Sequence, residues 1–413
     1  MPHQAPLDPA AAVALPIHHD PQFRRLWAMG MLISLIRSME MLAFAVFAYT
    51  VTQSAMWVAS MMMLRMLPLA LFGLVLGAVA ARIPRCSGLL VSYGALLLTT
   101  VSLLVIASLG AIEVWHLAAA SFINGAVWAG DMPMRRGLMG DIAGLSRMAH
   151  AMSLDAVASN ACRLLGPAIG GLLLAGGGLT AVFLLAAILY LPALAAVIGL
   201  SERPAAQPPM RTGLGTVLAR GFQAARESAR FRATLWLTIL FNLFAWPVLS
   251  MVPVIGQSRL HLDTQGIGLL ASMDAVGSLV GAILLTSLSG RLRHAQVYVG
   301  ALLCFLALQI VFAWSAHPVL TGATLLLLGL VQAGFAVMQT TLVYTAVPQG
   351  QRMEAMGLLT MCIGVSPLGF LAIGWLAERM GAPMAAMTCA LGGFASLLLT
   401  WPVWRPCLRD ASR

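Results

Sequence analysis

Residues 201–231, SERPAAQPPMRTGLGTVLARGFQAARESARF, are the one long interruption in an otherwise apolar chain of 413 residues. The stretch holds Pro204, Pro208 and Pro209 and then an amphipathic basic run from Gly213 to Arg232. On both sides the chain divides into segments of about 20 mostly apolar residues, the length a helix needs to cross a bilayer core. Six precede the interruption (26–52, 55–81, 87–110, 114–135, 153–176 and 179–200) and six follow it (232–257, 265–288, 295–314, 318–342, 355–377 and 381–404). With 60% hydrophobic and only 9% charged residues, the chain cannot cover the surface of a soluble domain. A soluble enzyme, a disordered chain and a secreted disulfide scaffold are excluded. The expected fold is an all-α polytopic membrane protein with twelve transmembrane helices in two six-helix halves. The organisation reads as a tail (1–23), a first bundle (24–200), a linker (201–231), a second bundle (232–404) and a tail (405–413). Residues 1–23 are polar and Pro/Ala-rich, which reads as a tail and not a signal peptide.

The basic residues give the orientation. Nineteen of the 24 fall in the tails, the linker and the loops on their side, two (Arg259 and Arg379) on the other, and three (Arg37, Arg65 and Arg163) inside spans. The excess of positive charge on cytoplasmic loops then predicts both termini inside, in the inner membrane of a bacterium. The net charge of +10 is explained by this placement, and no nucleic-acid partner is expected. Every basic residue is arginine, so neither a lysine Schiff base nor a phosphate-binding loop with its lysine can be built. Six scattered cysteines lack metal or redox spacing. The chain is expected to be no enzyme, to need no cofactor and no metal, and to draw energy from an ion or substrate gradient.

The halves echo each other. Gly166-Pro167 in span 5 is matched by Ser366-Pro367 in span 11, and a Gly-x-x-x-Gly recurs in span 2 (Gly73, Gly77) and span 8 (Gly277, Gly281). Such repeats belong to transporters whose binding site lies between the halves near the midplane. The most specific motif is Asn160-Ala-Cys-Arg-Leu-Leu-Gly-Pro-Ala-Ile-Gly-Gly171, where Gly166 and Gly170 make a small-residue stripe around Pro167. With Val347-Pro-Gln-Gly-Gln-Arg352, Gly357 and Pro367 to Gly374, these motifs resemble the major facilitator superfamily. Within it they resemble a bacterial efflux branch with macrolide-efflux-like and enterobactin-exporter-like members. The 160–171 stretch resembles the antiporter motif of exporters. In the loop between spans 2 and 3, Ala81 and Pro84 replace the aspartate and glycine of the superfamily motif. This leaves Arg82 to pair with Asp131 instead. Asn124 is the only strongly polar residue at the depth where span 4 often carries an arginine.

The resemblance implies a central cavity lined by spans 1, 4, 7 and 10. Each of these carries polar residues on one face: Arg37 and Glu40, Asn124 and Trp128, Asn242 and Trp246, Gln332 and Gln339. Charges near mid-bilayer are costly and are paired or cavity-facing. Arg37 and Glu40, three apart, can pair with each other. Arg37 is expected to bind an acidic group of the substrate, with Asn124, Trp128, Asn242, Trp246, Gln332 and Gln339 lining the site. Asp274 has apolar neighbours and no cation on its helix within two turns, so it is the first choice for proton coupling and Glu40 the second. A static bridge from Asp274 to Arg65 or Arg163 is the alternative. Arg65, Arg163, Gly166, Pro167, Gly170, Arg82 and Asp131 are expected at interfaces or gates. Three mid-membrane arginines against two acids favour an anionic substrate, such as a siderophore or other acidic metabolite. The leading function is proton-coupled export of a small molecule, a drug included, by a monomer in the lipid bilayer. An uptake carrier of the same fold is the first rival, and a non-transporting sensor or scaffold the second.

Overall fold

The computed structural model describes residues 17–80, 83–201, 214–288, 293–348 and 351–409. Among these, every regular element is helical. The long ones are α1 (Pro21–Thr52), α2 (Ala55–Ala80), α3 (Arg85–Ser108) and α4 (Val114–Ile198). A short α5 (Leu214–Glu227) and α6 (Ala229–Leu240) lead through an irregular stretch to α7 (Val252–Ser258). Then come α8 (Thr264–Leu288), α9 (His294–Trp314), α10 (Pro318–Ala346), α11 (Arg352–Ile363), α12 (Ser366–Met380) and α13 (Ala382–Leu399).

Ten of the described helical segments are long and apolar enough to span a membrane. The sequence expectation of twelve differs because α4 runs as one helical element through three expected spans. It turns at Gly144 (φ 64°) and Gly178 (φ 63°), backbone values that glycine adopts without steric penalty. The leg before Gly144 carries His116, Asn124 and Asp131 and is not among the ten.

Local chemistry sets the other ends. Asp20 caps α1 by accepting from the Gln22 amide at 2.9 Å, and Pro21 opens the helix, where its missing N–H costs nothing. Between α6 and α7 the chain passes through a π-helical turn, Phe241–Ala245, and a 3-10 turn, Trp246–Met251. Pro247 is the cause: it has no N–H for the Leu243 carbonyl and its ring crowds that group. Gln309 of α9 donates to the Phe244 carbonyl at 3.1 Å, which meets the polar demand of the irregular turn.

Two packed units result. In the first, α1, α2 and α3 surround the legs of α4, around Phe23, Tyr93, Phe183 and Tyr190. In the second, α6 to α13 enclose Phe241, Tyr298, Phe305 and Phe335, and α5 lies on α11. The units meet along two seams, α4 against α8 and α2 against α12. At the first seam Gly171 and Gly268 face each other. A Cβ on Gly268 would lie 2.5 Å from the Pro167 carbonyl oxygen, so the backbones touch there as small residues in membranes permit.

Candidate functional site

The first unit holds a two-layer polar cluster inside its apolar core. Tyr93 and Thr100 lie seven apart on α3, and Asn124 and Asp131 lie seven apart on α4. Both spacings put two side chains on one helix face. Arg37 and Glu40 of α1 meet one residue of each pair. In the layer nearer the termini, Arg37 Nη2 stands 3.6 Å from Asp131 Oδ2, and Tyr93 donates its hydroxyl to Asp131 Oδ1. The Arg37 guanidinium carbon lies 6.0 Å from the centre of the Trp128 ring, within cation–π range. In the other layer, Thr100 Oγ1 donates to Glu40 Oε1 at 3.0 Å, and buried Asn124 lies beside the same carboxylate. Glu40 is buried, and its Oε2 has no partner. Buried Arg65 of α2 lies in the electrostatic neighbourhood of Glu40 and Arg37.

This geometry corrects the expected Arg37–Glu40 pair. The two share a face of α1, but each is met by a different residue of α3 and α4. Asp131 is likewise engaged by Arg37 and Tyr93, while Arg82, its expected partner, lies outside the described residues. Asp131 adds a third carboxylate to Glu40 and Asp274, so three arginines face three carboxylates. The expected positive surplus, and its argument for an anionic substrate, disappears.

On Arg37, Nε and Nη2 are buried without a hydrogen-bond donation. These atoms form one edge of the guanidinium, the edge that grips a carboxylate or phosphate with two parallel hydrogen bonds. Asp131 approaches Nη2 only at ion-pair distance.

Asp274 has a partner that its own helix does not reveal. Arg163 reaches across the α4–α8 seam and donates through Nη2 to Asp274 Oδ2 at 2.9 Å. This corrects the expectation of a carboxylate without a nearby cation and realises the alternative of a bridge between the halves. Asp274 Oδ1 has no partner. Reversing the pair as Arg163→Asp with Asp274→Arg is expected to keep the fold. Asp274→Asn alone leaves Arg163 half-paired, which costs about 1–3 kcal/mol. Thermal unfolding of the purified variants checks both.

The remaining expected residues occupy varied places. Gly166 and Gly170 pack on Ser38 and Met39 of α1 within the first unit, while Pro167 contacts α8 at the seam. Gln339 donates to Thr238 Oγ1 at 2.9 Å, and Asn242 donates to the Thr238 carbonyl at 2.9 Å. Both amides are thereby held in a buried network with Tyr298, whose hydroxyl lies 2.9 Å from Thr238 Oγ1. Trp246 is half-buried against Phe370, edge to face at 5.4 Å. Gln332 Oε1 is buried without a partner.

Tyr93 and Thr100 were missed by sequence reasoning. Their signal was present: seven apart, they lie on one face of α3. Also missed was a clasp at the bundle end away from the termini. There Glu378 of α12 accepts from Ser54 Oγ at 2.9 Å and from the Met56 amide at 3.3 Å. The carboxylate thus binds the first turn of α2 from the other unit, and Thr50 and Gln257 meet nearby at 3.4 Å. Glu378→Ala is expected to loosen this end by about 1 kcal/mol, about a fivefold shift in population. Spin labels at Gln53 and Met380 would register the opening as longer distances.

The profile of a family described as transmembrane secretion effectors matches residues 12–410. The staphyloferrin A transporter of Staphylococcus aureus is 21% identical over 364 residues, which covers 86% of this chain and 88% of that protein. Among solved structures, the nucleoside transporter NupG superposes with a TM-score of 0.78 at 12% identity, over 93% of this chain and 100% of that one. A bacterial homologue of the human lysosomal transporter Spinster, inward-facing and unoccupied, gives 0.75 at 14% identity over 95% and 98%. A POT family transporter in complex with a thioalcohol-conjugated peptide gives 0.77 at 12% identity over 95% and 96%. At such identities the structures share the fold.

Proposed function

Because this chain belongs to the transmembrane secretion effector family of the major facilitator superfamily, whose members are membrane transporters and not enzymes, we propose that it exports a small acidic metabolite by proton-coupled alternating access. The observation that carries the proposal is the unpartnered Nε/Nη2 edge of Arg37 beside Trp128. A desolvated guanidinium edge whose two parallel donors make no hydrogen bond is matched by a substrate carboxylate, catecholate or phosphate. The likeness to a transporter of staphyloferrin A supports a siderophore or related acid as cargo. Trp128 and Trp246 are proposed to offer apolar surface to the rest of the substrate, and Asn124, Asn242, Gln332 and Gln339, mostly buried in this state, to reach it when the halves rock apart.

The helical legs are proposed to make twelve crossings, with the breaks of α4 at Gly144 and Gly178 as two of the turns. Both termini then lie in the cytoplasm of a bacterial inner-membrane monomer, and residues 201–231 link the bundles 24–200 and 232–404. In that orientation the Ser54–Glu378 clasp closes the periplasmic side. Glu40 carries the proton, because one oxygen is fixed by Thr100 and the other is bare. Asp274 and Arg163 act as a bridge that the rocking halves break and remake. Gly166, Pro167 and Gly170 keep the seam-forming leg of α4 close to α1, and Arg65 and Arg82 serve the gates.

Inside-out vesicles test direction and coupling together. An exporter accumulates its cargo in them when the lumen is acidified, and Glu40→Gln abolishes the response to the pH gradient while exchange of cargo persists. Accumulation only in right-side-out vesicles would make the protein an uptake carrier. Asp274→Asn should impair both exchange and gradient-driven transport, since it disturbs the seam and not the proton site.

A further inference from the structure

The layer around Arg37 contains a restraint that the transport reading does not use. Asp131 is buried, stands beside the guanidinium, and yet does not close on it: Arg37 Nη2 and Asp131 Oδ2 remain 3.6 Å apart. An unrestrained carboxylate in an apolar core would form the charge-assisted fork with the arginine, because that arrangement leaves the fewest buried donors unpaired. The restraint is visible on the far side of the carboxylate. Tyr93 is fully buried on α3 and donates its hydroxyl to Asp131 Oδ1. That bond occupies one carboxylate oxygen, while Nε of Arg37 lies buried with no partner. The Tyr93 ring belongs to the apolar core of the first unit, whose packing holds the hydroxyl in place.

We infer that Tyr93 is a positioning residue that tethers Asp131 off the binding edge of Arg37, so that the protein supplies the arginine with a counter-charge without occupying its fork. The tether makes the site selective for anions with two coplanar oxygens, which can take both open donors. A halide or a single hydroxyl can take only one. The role in selectivity rests on the proposal that Arg37 binds an acidic substrate group. The tether itself does not.

The test reads Arg37 directly. Full-length protein in lipid nanodiscs is treated with 2,3-butanedione, which modifies guanidinium groups, and modification at Arg37 is followed by peptide mass spectrometry. Arg37 of the wild type should react. In Tyr93→Phe the freed Asp131 closes the fork, and the rate should fall about fivefold, the scale of one hydrogen bond's net contribution. Adding Asp131→Asn to Tyr93→Phe should restore the rate to the wild-type value or above, which a merely disturbed fold would not do. An unreactive wild-type Arg37, an unchanged rate in Tyr93→Phe, or no recovery in the double variant would each overturn the inference. Export by Arg37→Gln is measured alongside. Normal export there would remove Arg37 from substrate binding and leave the tether to stand on the modification rates.

Discussion

Arg37→Gln is expected to reduce export by about 30- to 100-fold, the loss that follows from removing one partner of a buried charge pair worth about 2–3 kcal/mol. Two costs combine. The substrate loses the pair of parallel donors that only a guanidinium edge presents, and Asp131 is left buried with Tyr93 but no cation. Arg37→Lys separates them: the ammonium still faces Asp131 but lacks the fork, so export should fall sharply while the folded protein persists. Arg37→Gln with Asp131→Asn removes the stranded charge, so any stability lost in the single variant should return and transport should not. Initial export rates and thermal unfolding of the same preparations check the four combinations.

The second large effect concerns the crossing of α8 and α10, where the helix backbones are in contact. A Cβ at Gly329 would fall on the Asp274 carbonyl, and one at Gly277 on the Leu326 carbonyl. Ser278 strengthens the crossing by donating to the Gly329 carbonyl at 3.1 Å. Neither obstacle is a flexible side chain. Gly329→Ala should therefore destabilise the protein by about 3 kcal/mol or more, the upper range for forcing an added carbon into a packed interior. It should also displace Asp274 from Arg163, because the clash falls on the Asp274 backbone. Gly300→Ala on α9 is the control. Nothing lies within 4 Å of a Cβ there, so alanine should be neutral or stabilise by up to about 1 kcal/mol. Size-exclusion profiles and thermal unfolding in detergent would record a loss of folded protein in the first variant and none in the second.

A break between the two sets of apolar segments was legible at residues 201–231, because a proline-rich polar run has no place in a bilayer. The superfamily resemblance was legible in residues 160–171. The character of the site residues was legible too, since a mid-membrane arginine or carboxylate stands out against apolar neighbours. Their partners were not. Spacing along α1 places Arg37 and Glu40 on one face, but which charge meets which depends on the register of α3 and α4. That register is set by packing around Tyr93, Asn124 and Asp131. The same holds for Asp274, whose cation arrives from Arg163 more than a hundred residues away. Gly166 and Gly170 announce a close approach without saying to which helix, and the structure puts α1 against them. The irregular turn after α6 was foreshadowed by Pro247. The Gln309 bond that accompanies it was not, since a buried amide in a span reads the same whether it faces substrate or a freed carbonyl.

On the proposed function, the protein moves an acidic metabolite out of the cell and Arg37 holds it. Comparative metabolite analysis of culture medium and cell extract tests this most directly, using a deletion strain restored with either the wild-type gene or Arg37→Gln. One acidic compound should be retained in cells and missing from the medium of both the deletion and Arg37→Gln strains, and restored to the medium by the wild type. A compound that accumulates in the medium of the deletion strain, or metabolite profiles that do not differ among the strains, would contradict it.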